Sequence, residues 1–369
     1  MKCSEEKTIL VGTHIIYRHG DRSPILSYPE SIVDEFFWPN GFGQLTLRGQ
    51  LQQIRLGQYF RERYSELLNS TYVASEVTIR STDNDRTLMS AYSNLLGLYP
   101  TSKEKLDLIL LEIEQDNKWP EVLPWQPIPV HTVPKSIDYL MGVSECPYFF
   151  ELVEEIRNTE QIQNISRDFR NFFDKLEIWT GTKINDLFDA WLVADIIIIE
   201  ALYNKTSSWA NAFVLSQLRQ IADLSLYYVF NSFKTNRIIA GPMIGDIMEN
   251  IQNLMSSKSN GWKAKIYSAH DATVVAILSY FQANYIHQPS YGSTLFFDLY
   301  HIPENNTYFL QVEYLNSTNS RTPHPIKLLP CSNVMCPIEI LNRWLENRLP
   351  SKDMKTECMP RRSHPSLAS

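Results

Sequence analysis

Apolar and polar positions along this chain switch repeatedly between the period of a strand and the period of a helix. Ile9-Leu10-Val11-Gly12-Thr13-His14-Ile15-Ile16 is a near-continuous, β-branched apolar run, the pattern of a buried parallel strand, and it empties into Tyr17-Arg18-His19-Gly20-Asp21-Arg22-Ser23-Pro24. From Thr46, a helix-capping residue type, Leu47, Leu51, Ile54, Phe60, Tyr64 and Leu67 recur at helical spacing, with Arg48, Gln52, Arg55 and Glu62 on the other faces. That predicts an amphipathic helix covering a sheet. A second strand, Glu76-Val77-Thr78-Ile79-Arg80, runs into Ser81–Thr87 and a helix over 88–98; a third, 263–269, runs into His270-Asp271 and a helix over 272–281. Thr294–Tyr300 and Tyr308–Tyr314 alternate around Pro303-Glu304-Asn305-Asn306 and predict an antiparallel hairpin at the sheet edge.

Between the second and third strands the pattern changes. From Pro147 to about Ser257 it is almost wholly helical, in segments 148–157, 162–178, 184–203, 208–230 and 243–255, and it offers no obvious catalytic cluster. The expected fold class is therefore α/β: a mixed central sheet flanked by helices, built from 1–100 and 258–369, with a mostly helical cap domain inserted at 101–257. Residues 27–43, rich in Pro, Gly and aromatics, read as an irregular segment near the mouth of a site, without the spacing or the lysine of a phosphate-binding P-loop. Trp119–Pro134, with prolines every few residues, reads as an extended crossing or an exposed arm suited to a subunit contact, in which His131 is structural. One short helix is expected near 338–347.

Composition narrows the class. In 369 residues, 44% are hydrophobic and 20% charged, an ordinary globular balance with room for a sizeable core. A net charge of −7 argues against nucleic acid as a partner, which needs a basic face. Arginines concentrated in an acidic chain point instead to a focused pocket for a small anion. The charged start, Met1–Lys7, predicts no secretion leader, and the most apolar internal run, Trp191 to Tyr203, contains Asp195 and Glu200 and is too short to span a bilayer, so it reads as a buried core helix in a soluble chain. The five cysteines form no Cys-x-x-Cys pair and lie near no histidine cluster, which argues against zinc. Cys331 and Cys336 could close a small loop and Cys146 with Cys358 could staple the tail to the middle of the chain, leaving Cys3 over. Glycosylation sequons stand at Asn69, Asn164, Asn204, Asn305 and Asn316.

The chemistry collects where strands end. An imidazole flanked by two guanidinium groups within five residues, directly after a buried strand, is an anion pocket with a nucleophile in it; most such residues singly are surface or core groups, and the constrained context sets these apart. Arg86 stands near a helix start, where free N–H groups attract anions, and two readings of it remain: a third phosphate-binding cation, or a partner for Asp83 or Asp85, which could themselves cap the helix. With His270 and Asp271 the set would bind a phosphate monoester, let a neutral histidine attack phosphorus, and supply a carboxylic acid to protonate the leaving alkoxide. Neighbouring arginines disfavour imidazolium, so His19 stays neutral below its usual pKa of about 6.5 and the chemistry tolerates acid. The arginines supply the charge, so no metal or other cofactor is required.

Arg18-His19-Gly20-Asp21-Arg22-Ser23-Pro24 resembles the signature of the histidine phosphatase superfamily in its branch 2, the histidine acid phosphatases. Arg80–Thr87 and Ala269-His270-Asp271 match that branch's second and third motifs, and further likeness runs through Gly41–Thr46, Trp125–His131 and Thr356–Met359. The resemblance covers nearly the whole chain. It implies His19 as nucleophile, Asp271 as proton donor, Arg18, Arg22, Arg86 and His270 as phosphate ligands, a phosphoglycerate mutase-like fold with a helical insertion, and an acid phosphatase working through phosphohistidine. It also implies a homodimer in the extracellular space or the lysosomal lumen, acting on small phosphomonoesters, with phosphopeptides and phospholipids as candidates. The chain lacks one disulfide pair of that branch, whose positions fall near Tyr203 and Ser293. Competing readings are a phytase-like or lipid-specific member, and a non-catalytic anion binder, against which the presence of both His19 and Asp271 speaks.

Overall fold

The computed structural model of the chain describes residues 7–116, 125–142, 146–256 and 261–361. Cys3 and residues 119–124 of the expected extended arm lie outside these. Seven strands form one mixed sheet: β1 (Ile9–Arg18), β2 (Val77–Ser81), β3 (Ala264–Ala269), β4 (Thr294–Ile302), β5 (Thr307–Leu315), β6 (His324–Ile326) and β7 (Met335–Pro337). Their order is β2-β3-β1-β4-β5-β6, with β7 also on β5. β1, β2 and β3 run parallel, so that Arg18 pairs with Ala269 and Ser81 with Ser268, and all three strands end on one edge. β4 and β5 are the expected hairpin, but β6 and β7 add outside it, so the hairpin is interior rather than at the edge.

The near-continuous apolar character of β1 follows from burial on both faces. Ile15 and Tyr17 point into a cluster closed by Leu56 and Phe60 of the helix Leu47–Arg63 and by Ala91 and Leu95 of the helix Asp85–Leu98. Ile16 points the other way, into a larger core shared with Val274, Leu295 and the long helical block. Thr46 caps the first helix as its type predicts, accepting a hydrogen bond from the Gly49 amide at 3.0 Å. Helices in the block run Pro147–Arg157, Glu160–Asp168, Arg170–Thr180, Leu187–Leu202, Ala212–Phe230, Phe233–Ile239 and Gly241–Met255. The expected single helix 162–178 is thus two, which meet at Phe169.

The extended arm lies along the outer edge of β2: His131 donates its amide to Ile79 and accepts from the amide of Ser81, both at 2.9 Å, a backbone role that matches its structural reading. Cys146–Cys358 and Cys331–Cys336 are disulfides, the first spanning 212 residues and the second five. In the tail the helix is Ile338–Leu345, followed by a single turn at Met354–Glu357. Among the described residues, no helix is long and apolar enough to cross a membrane.

Candidate active site

The common edge of β1, β2 and β3 opens into a cleft of about 460 Å³, whose lining includes His19, Arg22, Thr82, Arg86, His270 and Asp271. Ligands bind outside the carboxyl ends of strands in α/β sheets because there the chain must leave the ladder with its polar groups pointing away from the core. All six residues expected from the sequence meet here. Arg18 reaches the same place beneath the floor: its Nη2 lies 2.9 Å from Oδ2 of Asp271, its Nη1 donates to the Pro289 carbonyl, and its guanidinium sits 4.2 Å from the centre of the Tyr291 ring.

His19 is held from both sides, its amide donating to Ala269 at the end of β3 and its carbonyl accepting from Gly292 before β4. Its Nδ1 lies 2.7 Å from the carbonyl oxygen of Gly20. A carbonyl only accepts, so Nδ1 carries the proton and Nε2 of the neutral ring keeps its lone pair. Burial first, then Arg18, Arg86 and His270, hold the imidazolium form well below its ordinary range. Gly20 is where the first helix and this loop touch. A Cβ there would stand 2.3 Å from the carbonyl oxygen of Gly49, so glycine is what lets the first helix press against the loop.

His270 precedes the helix Asp271–Tyr280 and its Nε2 lies 3.0 Å from the Thr82 hydroxyl, which lies 2.8 Å from that of Thr87. Thr87 donates to carbonyls of its own turn, so Thr82 donates to Thr87 and accepts from His270. Burial and then Arg86 push His270 down to about 3. Arg86 makes no ion pair among the described residues; Asp85 instead accepts from Gln44 at 2.9 Å, and Asn84 stands at the cap position without a side-chain capping bond. The buried Nε of Arg86 has no partner. Of the two readings of Arg86, the ion pair with Asp83 or Asp85 is therefore absent. Burial and Arg22 lower its pKa to about 10, which leaves it charged.

Asp271 is pushed up by burial and pulled down further by Arg18 and Arg22, for a net fall below the usual carboxylate value. Its Oδ1 accepts from the Ala272 amide at 2.8 Å and its Oδ2 from Gln288 at 3.3 Å.

The helical block contributes more than its sequence suggested. Asp195 of the helix Leu187–Leu202 stands 3.0 Å from Nη2 of Arg22 through both carboxylate oxygens, and Trp191 of the same helix lines the cleft. Tyr203, at the end of that helix, donates its hydroxyl to Asp21, which also accepts from Thr46 at 2.6 Å. A signal was present: Asp195 and Glu200 interrupt the most apolar run of the chain, and a carboxylate in such a place needs a partner. Tyr291, Gln288 and Pro289 were unreadable, since they lie in an irregular loop with no period. The irregular segment after the first loop splits in its placement. Ile25 and Leu26 line the cleft, whereas Phe37–Gly41 line a separate recess of about 880 Å³ beside Tyr92 and Trp125.

Comparison with known proteins places this constellation. The profile of the family described as histidine phosphatase superfamily (branch 2) matches residues 9–315. The chain belongs to this superfamily. As a branch 2 histidine phosphatase it is 37% identical to prostatic acid phosphatase of Bos taurus over 353 residues, 93% of this chain and 86% of that one. It is 35% identical to lysosomal acid phosphatase of Xenopus laevis over 350 residues, 93% of this chain and 77% of that one. Among solved structures, this histidine phosphatase is similar to the Citrobacter braakii phytase with a TM-score of 0.70 at 16% identity, covering 95% of this chain and 99% of that one. The Hafnia alvei phytase in complex with tartrate gives 0.70 at 14%, covering 97% and 100%. These two likenesses speak to the fold. The chain is an enzyme, an acid phosphatase of the histidine phosphatase type.

Proposed function

We propose that the cleft hydrolyses phosphate monoesters in acid through a phosphohistidine on His19. The observation that carries this reading is the hydrogen bond from Nδ1 of His19 to the Gly20 carbonyl, because it leaves Nε2 with its lone pair in a ring that burial, and then the arginines, keep neutral. Nε2 attacks phosphorus as the P–O ester bond breaks. Arg18, Arg22, Arg86 and His270 spread the charge of the three non-bridging oxygens, and Asp271 gives its proton to the departing alkoxide. Water then attacks phosphohistidine, with Asp271 taking the proton it lost, and inorganic phosphate leaves. The test is hydrolysis of p-nitrophenyl phosphate at pH 5 by the folded chain without added metal. Steady turnover is expected, and its absence would defeat the enzymatic reading.

Proton bookkeeping gives a second check. In the free site Asp271 is ionised down to below its ordinary pKa and His270 is neutral down to about 3. A bound phosphate competes for Arg18 and adds negative charge beside both groups, so both affinities for protons rise. Binding of sulfate, an oxyanion that carries no proton of its own near pH 5, is therefore expected to take up protons, about one per site. Calorimetry in buffers of different ionisation enthalpy reads this directly; proton release would contradict the assignment of either group.

We take the sheet and its flanking helices, 1–100 and 258–369, as the catalytic domain and 101–257 as an inserted helical domain. The division is supported by every strand of the sheet lying outside the insertion. The lumen of the lysosome or the extracellular space suits the two disulfides, which persist in oxidising compartments, and the exposed sequon asparagines Asn69, Asn164, Asn204 and Asn305 suit glycosylation. A homodimer through the arm is supported by Trp125, half-exposed beside an apolar recess.

A further inference from the structure

Asp195 is a carboxylate placed in an anion site, and mechanical need does not account for it. The loop after His19 is already tied to the same helix at two other points. Glu200 accepts from Tyr28 at 3.2 Å and from Ser31 at 2.9 Å, and Tyr203 holds Asp21. What Asp195 adds is charge. It raises the proton affinity of Arg22 against the effect of burial and cancels one positive charge of the cradle. Arg18, Arg22 and Arg86 against Asp195 and Asp271 leave one net positive charge, or two once Asp271 carries its proton. That balance suits a single phosphate group and leaves none for a second.

The outer wall agrees with this. Ile25, Leu26 and Leu192 line the cleft while 54%, 49% and 59% exposed, with Met141 behind them. Lys135, which is exposed, and Asp83 both line the cleft, one charge of each sign, and Asp138 is engaged by Arg80 at 2.6 Å. An apolar substituent on the substrate would cover these side chains, whereas a second phosphate would meet Asp195 and hydrocarbon.

We propose that Asp195 makes this site selective for singly phosphorylated esters of apolar alcohols and against polyphosphorylated substrates such as inositol polyphosphates. This rests on the phosphomonoesterase reading above. The test compares kcat/KM for 1-naphthyl phosphate with that for inositol hexakisphosphate at pH 5 and low salt, in the wild type and in Asp195→Asn. The substitution keeps an oxygen facing Arg22 and removes the charge. Preference for the naphthyl ester is expected to fall about tenfold or more in the variant; an unchanged ratio with both esters turned over would overturn the proposal. A second measurement needs neither the variant nor turnover. Calorimetry on the wild type should find inositol hexasulfate bound no more tightly than inorganic phosphate, and tenfold tighter binding of the hexasulfate would overturn it equally. If wild type turns over neither ester, the phosphatase reading fails, while the same binding comparison repeated in Asp195→Asn still decides the role of Asp195, since the relative affinity for the hexasulfate must rise in the variant.

Discussion

His19→Ala is expected to lower turnover of phosphate esters by about 10⁴-fold or more, since it removes the group proposed to form the covalent intermediate. The variant retains the cradle, so inorganic phosphate should still bind, and this separates loss of the nucleophile from loss of the site. Rapid quenching of the wild type into alkali, where phosphohistidine survives, with labelled substrate should trap phosphate on protein, and the variant should trap none. The physical case is local. The Gly20 carbonyl fixes the tautomer, the ends of β3 and of the loop before β4 fix the backbone, and burial, with the guanidinium groups after it, disfavours a proton on Nε2. Turnover near the wild-type rate in this variant would remove His19 as nucleophile.

The second large effect depends on the leaving group. Asp271→Asn should slow alkyl phosphates by about 10²–10⁴-fold, because an alkoxide cannot depart without a proton. It should slow p-nitrophenyl phosphate far less, because nitrophenolate leaves unaided. The contrast matters because Asp271 also holds Arg18 at 2.9 Å, and an amide would release that guanidinium. If Asp271 acted only by positioning Arg18, all esters would slow equally. The ratio of the two losses, measured at one pH, therefore distinguishes proton donation from positioning.

The parts of this site that could be read in the sequence are those built by a strand and the few residues after it. Arg18, His19 and Arg22, then Arg86, then His270 and Asp271 each sit where an apolar run stops, and parallel pairing brings the three ends together. Local pattern sets their positions, so local reading could place them at one sheet edge. The side chains that surround the phosphate position but arrive from elsewhere obey no such rule. Asp195 looks from its neighbours like an intrusion in a core helix, and only its pairing with Arg22 across the fold shows why a charge is tolerated there. Likewise, the fate of Arg86 hung on whether Asp83 or Asp85 would turn toward it, and a choice among rotamers leaves no trace in hydrophobic periodicity. The break at Phe169 was hidden for a related reason, since an apolar stripe can run through two short helices without changing period.

Strand order has a consequence for how such a chain is made. β1 lies in the middle of the sheet and is the first of its strands to be synthesised, whereas its neighbours β3 and β4 begin at Ala264 and Thr294. At about 5–20 residues per second, the apolar strand Ile9–Arg18 waits tens of seconds with both edges unpaired before either partner is synthesised. During that interval its unpaired edges are open to pairing with other chains. Production of active enzyme is thus limited by whatever shields the amino-terminal segment in the meantime, and a host poor in such helpers would yield aggregates from a sequence whose finished fold is sound.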